Sequence, residues 1–210
     1  MIAFALIALL SGNFPRQAEP TSDPANWIMA SDIPSSEWSR ATVTSYDLTL
    51  DSAGKPIACT ITNPSGSDTI DGVVCASLMK RAHYRPAKDA AGSPVPSVIR
   101  DHVQWRPDAS GSNQYLSDKP DIIISDNAAS SKTRFDLVKV VEIMSVSGAV
   151  ESCAVFKSSK NEKLDGEACA AVSRPDISKP ILDVSKMPTR GVRAFNVGFI
   201  AGVDNQILVR

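Results

Sequence analysis

The sequence matches itself when it is shifted by 94 residues, and this internal repeat limits the possible folds more than any other feature. The matched pairs include turn, cysteine and aromatic positions: Gly54 with Gly148, Cys59 with Cys153, Cys75 with Cys169, and Trp105 with Phe199. No insertion is needed anywhere in this register. Self-similarity at a constant spacing is typical of duplicated structural units. We therefore predict one unit over residues 27–105 and a second, degenerate unit over residues 121–210, joined by a polar linker over residues 106–120.

Each unit is predicted to contain two strands, a helix and a third strand. In the first unit, residues 44–50 alternate apolar and polar side chains, and a turn with Gly54 leads to a second strand whose Ile57, Cys59 and Ile61 share one face. An apolar stripe predicts a helix over residues 69–82. A last strand covers residues 98–105. The predicted fold class is α+β, with two tandem β-β-α-β modules, each an antiparallel sheet with one helix packed on it.

The second unit follows the same plan more loosely. Its strands are predicted over residues 135–144 and 150–156, its helix over residues 164–172, and the inward side of its last strand at Phe195, Val197 and Phe199. Glu142 stands where the first unit has Leu48.

The four cysteines form two pairs, each separated by 16 positions: Cys59 with Cys75, and Cys153 with Cys169. Four cysteines allow three disulfide connectivities, and the repeat selects the one inside each unit. Each bridge would join the second strand to the helix packed on it, and would stabilise a module with a modest core. Buried free thiols are the main alternative. Metal binding or redox catalysis is disfavoured, because there is no Cys-x-x-Cys and the histidines are not repeated.

The chain begins with ten apolar residues, and residues 1–18 are predicted to be a signal peptide. Export and disulfides agree with an oxidising compartment, so we expect the protein to be periplasmic. A formal net charge of −1 gives no electrostatic reason to expect nucleic acid as a partner. The basic cluster of Lys80, Arg81, Arg85 and Lys88 is interpreted as a solvated helix end.

No residues form a recognisable active site, and we predict no catalytic residue, no metal site, no cofactor and no small-molecule substrate. His102 alternates with Arg100 and Gln104 and is expected to be exposed, and His83 is expected at the surface at the helix end. Ser65 and Ser159 precede the helices, where hydroxyls bond local backbone. Asp71 and Asp165 fall in the first helical turns, where carboxylates favour the free amides.

These residues together resemble the TonB C-terminal domain, in the cysteine-containing variety found in bacterial TonB-family proteins. The similarity covers nearly all of the first unit and is strongest near the helix end. It rests on the following residues: Trp27, Asp32-Ile33-Pro34, Asp51-x-x-Gly54, Cys59-x-Ile61, Ser65-Gly66-Ser67, Asp71, Cys75, Arg81-Ala82-His83-Tyr84-Arg85-Pro86-Ala87-Lys88-Asp89, Gly92 and Val103-x-Trp105.

The resemblance implies a periplasmic module that grips an extended segment of an outer-membrane receptor, or of another envelope protein, by strand addition. By analogy the binding edge is the last strand of the first unit, with Ile99, Arg100, Val103 and Trp105 contacting the partner; Val103 and Trp105 are alternatively core residues. The chain has Ile33-Pro34 where the family has Tyr-Pro, and it lacks the family's long Pro-rich spacer and spanning helix. A binding or accessory role in outer-membrane transport is therefore expected, rather than coupling to an inner-membrane motor.

Two other functions stay open at this point. The chain could be a structural or self-associating envelope protein whose two units pair edge to edge and admit no external strand. It could also be an exported hydrolase or inhibitor, an interpretation that rests only on the loop serines and His102.

Overall fold

The computed structural model describes residues 14–39, 41–105, 113–115, 119–202 and 206–209. Its helices are α1 (Asp68–Arg81) and α2 (Glu162–Val172), together with three short 3-10 turns before residue 40. The strands, in chain order, are β1 (Glu19–Pro20), β2 (Thr42–Leu50), β3 (Pro56–Asn63), β4 (Tyr84–Arg85), β5 (Ala87–Lys88), β6 (Pro94–Val95), β7 (Ser97–Trp105), β8 (Asn113–Tyr115), β9 (Ile122–Asp126), β10 (Asp136–Met144), β11 (Val150–Lys157), β12 (Ile181–Leu182), β13 (Pro188–Thr189), β14 (Gly191–Ala201) and β15 (Gln206–Val209).

A single nine-stranded sheet forms the centre of the fold. Six strands follow the order β11-β10-β14-β7-β2-β3, while β8 pairs with β7, β9 with β14, and β15 with β9. Most pairs are antiparallel, but β14 runs parallel to both β7 and β9. The fold is thus α+β, as predicted. The expectation of a separate antiparallel sheet in each unit is wrong, because β7 and β14 pair with each other and join the strands into one mixed sheet.

The strands and helices recur at the offset seen in the sequence. Adding 94 to the limits of β2 (42–50) gives 136–144, the limits of β10, and adding 94 to those of β3 (56–63) gives 150–157, the limits of β11. The first residues of the two helices also differ by 94, since α1 begins at residue 68 and α2 at residue 162. The same holds for β7, which begins at residue 97, and β14, which begins at residue 191. The predicted helices and principal strands are therefore present, with shifts of only one or two residues at most limits.

Two apolar cores lie on opposite faces of this sheet. Tyr46, Leu48 and Leu50 of β2 pack with Ile70, Val74 and Leu78 of α1 in the first core. Leu164 and Ala168 of α2 pack with Phe195, Val197 and Phe199 of β14 in the second. On β10, Val141 and Ile143 join the first core, whereas Val138 and Val140 join the second. Neighbouring residues of a strand point to opposite faces, so α1 and α2 cover opposite faces.

Equivalent side chains fix the start of each helix. Ser67 and Asn161 are the N-caps, and they accept hydrogen bonds from the backbone amides of Ile70 and Lys163. Asp71 accepts a hydrogen bond from the amide of Ser65, and Asp165 accepts one from the amide of Ser159, at 3.0 and 2.9 Å. Each serine hydroxyl in turn donates to a backbone carbonyl two residues on, as predicted for these loops.

Both expected disulfides are present. Cys59 bonds to Cys75 and Cys153 bonds to Cys169, with Cα–Cα distances of 5.5 and 5.8 Å. Each one ties the outer strand of a hairpin to the helix above it. Bridges of this kind are typical of proteins from oxidising compartments.

The prediction that His102 is exposed is wrong, because its side chain is only 7% exposed. The period-two pattern placed it on the polar face of β7, but the second half of the chain covers that face. His83, in contrast, is exposed as predicted, and its Nδ1 lies 2.7 Å from the carbonyl oxygen of Arg81.

Parts of the predicted signal peptide and of the predicted linker lie outside the described residues. Of the predicted signal peptide, residues 1–13 lie outside them, whereas Ala18 is 1% exposed in the first core. Of the predicted linker, residues 106–112 and 116–118 lie outside, and β8 lies between them. Within the basic cluster, Arg81 binds Asp32 and the carbonyl of Trp27, while Arg85 stays 70% exposed beside Glu19.

Candidate partner-binding cleft

The edge of β7 that faces β14 is paired at its two ends and open between them. Ser97 and Val98 pair with Val192 and Arg193 of β14, and residues 103–105 pair with β8. Residues 99–102 have β2 as their only strand partner among the described strands. On the other side, β14 pairs with β7 only at residues 192–193 and with β9 only from Val197 onward. The sheet therefore opens between residues 99–102 and 194–196.

A cleft of about 460 Å³ occupies this opening. Ile99, Asp101, Ala194 and Asn196 line it from the two diverging strands, and residues 17–25 form a wall above them. Ala18 and Trp27 anchor this N-terminal wall in the first core, and the tilted rings of Trp27 and Tyr84 lie 5.1 Å apart. The wall is thus held by packing, and the cleft has the size of an ordinary ligand site.

Arg100 is fixed at the base of the cleft. Its Nε and Nη2 donate to the two carboxylate oxygens of Asp47 at 2.7 and 2.8 Å, and its guanidinium lies 5.4 Å from the centre of the Phe195 ring. Burial acts to lower the pKa of Arg100, but the hydrogen bond and charge of Asp47 outweigh it and raise the pKa. A bidentate pair of this kind fixes the side-chain position, so Arg100 has little freedom to rearrange towards a ligand.

Asp101 supplies an unusual carboxyl group to the same cleft. Burial raises its pKa from 3.8 to about 6, and the charge of Asp121 acts in the same direction. The backbone amide of His102, which donates to Asp101 Oδ1 at 2.8 Å, and the charge of Lys139 oppose this rise. Asp101 therefore changes its charge near neutral pH, which makes the electrostatic potential of the cleft dependent on pH.

Asp121 forms the hydrogen bonds that a neighbouring strand would otherwise form with β14 at Asn196. Its amide donates to the carbonyl of Asn196 at 2.8 Å, and its Oδ2 accepts from the amide of Asn196 at 2.7 Å. Its Oδ1 lies 3.4 Å from Nε2 of His102. Asp121 thereby satisfies the backbone of β14 where β7 has moved away.

Ser45, His102 and Asp121 form a buried row beneath the cleft. The Ser45 hydroxyl lies 2.7 Å from Nδ1 of His102, whose Nε2 faces Asp121. A serine hydrolase uses the same three residue types. Here, however, Ser45 is 4% exposed and is not among the residues that line the cleft. The three side chains therefore connect β2, β7 and the segment before β9, and the Ser45 hydroxyl is not accessible to a substrate.

The residues predicted to bind a partner fall into two groups. Ile99 and Arg100 line the cleft. Val103 and Trp105 are each 3% exposed, and their backbones pair with β8. The structure thus brings the first two to a concave site and places the other two in the core.

Sequence reasoning missed most of the residues that line the cleft, among them the polar side chains of Asp101, Asp121, Lys139 and Asn196. No motif marks these four, because they come from three strands and the segment before β9, which meet only when the two halves form one sheet. The one available signal was Asp101 itself, a carboxylate on the face of β7 that carries Ile99 and Val103.

The edges of the sheet formed by β3 and β11 are less regular than this opening. The pairing of β3 with β2 and that of β11 with β10 each contain two register shifts, one near either end. Such bulges twist a strand edge and hinder the addition of another strand.

Within the described part of the chain, neither α-helix has the length and apolar character needed to cross a membrane. In the same residues no three His, Cys, Asp or Glu side chains are placed to hold a metal ion. Comparison with known proteins gives no match to a protein family, to a curated protein or to a solved structure.

Proposed function

We propose that the chain is a periplasmic TonB-like binding or accessory protein that engages an outer-membrane partner by strand addition and is not an enzyme. The observation that carries this proposal is the edge of β7 at residues 99–102, which has no strand partner among the described strands on the side that opens into the cleft. An extended segment could hydrogen-bond there with backbone groups, while the cleft accepts its side chains. The bulged pairings of β3 and β11 make the edges of these two strands poorer acceptors.

We further propose that the chain consists of two tandem β-β-α-β modules that arose by duplication. Support comes from the shared offset of strands, helices, disulfides and helix-start hydrogen bonds. In this proposal the second module no longer binds a partner but completes the cleft with β14. Periplasmic location is supported by the two disulfides. In this proposal a signal peptide is cleaved before Phe14, because Gln17 and Ala18 line the cleft and Ala18 packs in the first core.

A self-contained structural role is the second candidate. It is favoured by the pairing of β14 with β7 and of β8 with β7, which already cover both ends of β7, including Val103 and Trp105. In that case the cleft admits no external chain.

Site-specific photocrosslinking separates the two candidates. A photoreactive amino acid at Gln17, which lines the cleft, is compared with one at the exposed Lys132 in the full chain, in cells of the source bacterium. Strand addition predicts an outer-membrane adduct from position 17 and none from position 132. Mass spectrometry of the adduct should then identify an extended segment.

Two tryptophan substitutions provide the matched control. Ala194→Trp fills the cleft, whereas Ala91→Trp adds the same side chain at an exposed turn. The first should abolish the adduct and the second should preserve it. If a chain with both disulfides formed gives no adduct at position 17, the structural role is favoured and strand addition is refuted.

A further inference from the structure

A second concave site lies away from the cleft, between the N-terminal segment and the hairpin of β10 and β11. This groove has a volume of about 550 Å³. Its floor and walls include Val141, Val155, Phe156 and Phe14, and its rim includes Arg16 and Lys88. Both halves of the chain contribute to it, and none of these residues lines the cleft.

The apolar side chains of the groove are unusually open to solvent. Phe14 is 64% exposed and Phe156 is 58% exposed. Leaving two large aromatic side chains of one groove in water has a free-energy cost that burial by a ligand would remove. Contiguous patches of this kind typically mark binding sites.

Two cations stand at the rim of the same groove. Arg16 and Lys88 pair through reciprocal backbone hydrogen bonds of 2.8 and 2.9 Å. Directly opposite residues of an antiparallel pair project to the same side, so both side chains extend together. Both residues are exposed, and neither forms a side-chain ion pair with another described residue.

The one carboxylate that lines the groove is already neutralised. Asp89 accepts hydrogen bonds from the amides of Ser93 and Ala91, and Arg190 donates to its Oδ2 at 3.1 Å. The amide of Ser93 is the largest of the causes that hold the pKa of Asp89 below its ordinary value. Arg190 also donates to Glu151 of β11 at 2.8 Å, so this pair of contacts fixes one end of the groove and leaves its net charge positive.

We propose that this groove binds a monomeric anionic lipid with a single acyl chain. The chain would lie on Val141, Ala154 and Phe156, which share one face of the hairpin, and its carboxylate would contact Arg16 and Lys88. An apolar floor with a cationic rim complements an amphiphile of this charge, and the groove volume lies within the range of about 300–1,000 Å³ typical of small-ligand sites. The site is independent of strand addition at the cleft.

Calorimetry with laurate below its critical micelle concentration tests the assignment on the full chain. Dodecyltrimethylammonium, which has the same chain length and the opposite charge, is the matched ligand. We expect laurate to bind at least about tenfold more tightly, because charge-assisted contacts to Arg16 and Lys88 favour the anion. Arg16→Ala with Lys88→Ala should remove this preference.

Two substitutions at exposed apolar residues separate the groove from general surface hydrophobicity. Phe156→Asp should abolish laurate binding, whereas Val184→Asp, at a valine that is 72% exposed outside the groove, should leave it unchanged. Ala154→Trp, which fills the groove without adding charge, serves as a second test should Phe156→Asp unfold. Equal affinity for the two amphiphiles would overturn the proposal. So would binding only to phosphatidylglycerol vesicles, which indicates a membrane surface, or only to apolar peptides.

Discussion

Glu142 lies at the centre of β10, where it is 0% exposed. It faces Arg193 across the β10–β14 pair, and the hydroxyl of Ser178 donates to its Oε1 at 3.3 Å. Burial raises its pKa from 4.5 to about 7, while the charges of Arg193 and Arg100 act in the opposite direction. Among the described residues, no guanidinium or ammonium group forms an ion pair with it. We therefore expect Glu142 to make the stability of the fold depend on pH between 4.5 and 7.

The sign follows from proton binding. Because the pKa is higher in the folded state than in the unfolded state, the folded state binds more protons in this interval, and stability falls as pH rises through it. The displacement from 4.5 to about 7 corresponds to about 3 kcal/mol between pH 4.5 and pH 8. Asp101 adds a loss of the same sign between pH 3.8 and about 6. Asp32, Asp126 and Asp165, whose pKa values are lowered, remove stability only at still lower pH.

The substitution that isolates Glu142 is Glu142→Gln, which retains an oxygen for Ser178 and removes the titration. Urea unfolding of the disulfide-bonded chain, followed by circular dichroism, should show the variant more stable than the wild type at pH 8, by up to about 3 kcal/mol. At pH 4.5 the two should be nearly equal. Glu19→Gln, at a side chain that is 56% exposed, is the control and should leave the pH profile unchanged. A variant less stable than the wild type at pH 8 would refute the reasoning, because it would mean that the charge of Glu142 stabilises Arg193.

Three further outcomes follow from the fold. Cys59→Ser should lower the free energy of unfolding in urea by about 3 kcal/mol relative to the disulfide-bonded wild type. This difference should vanish when both proteins are reduced. Asp71→Ala should cost about 2 kcal/mol and more than Asp165→Ala, because Asp71 is 8% exposed and accepts from the buried hydroxyl of Thr44, whereas the hydroxyl of Ser159 that donates to Asp165 is only part-buried; equal losses would contradict this. Gly54→Ala should lower the melting temperature, since Gly54 has a φ of 82° and an added Cβ would meet backbone; an unchanged melting temperature would contradict this.

The local structure could be predicted because each signal is local or repeated. Alternation along β2 and the apolar stripe of α1 depend on neighbouring residues, and the offset of 94 carried both to the second half. The same offset identified the cysteine pairs. The second half keeps these features although its sequence differs from that of the first half, because backbone hydrogen bonding tolerates differences such as Glu142 in place of Leu48.

The joining of the two halves could not be predicted from the same signals. Only two residue pairs connect β7 to β14, too few to leave a periodic pattern. The pairing of β7 with β14 accounts for the error at His102 and for the missed Asp121, because both depend on which side of β7 the second half of the chain covers. The polar appearance of that face reflects a buried hydrogen-bonded row rather than contact with solvent.

The coverage of β7 from both sides has a consequence for any attempt to separate the two halves. Val98 packs with Met144 and Ile181, and His102 faces Asp121, so one face of this strand is sheltered by residues that come later in the chain. A fragment that ends near residue 105 would expose a valine and an imidazole that have lost their neighbours. Such a fragment should therefore be less stable than the same residues within the full chain.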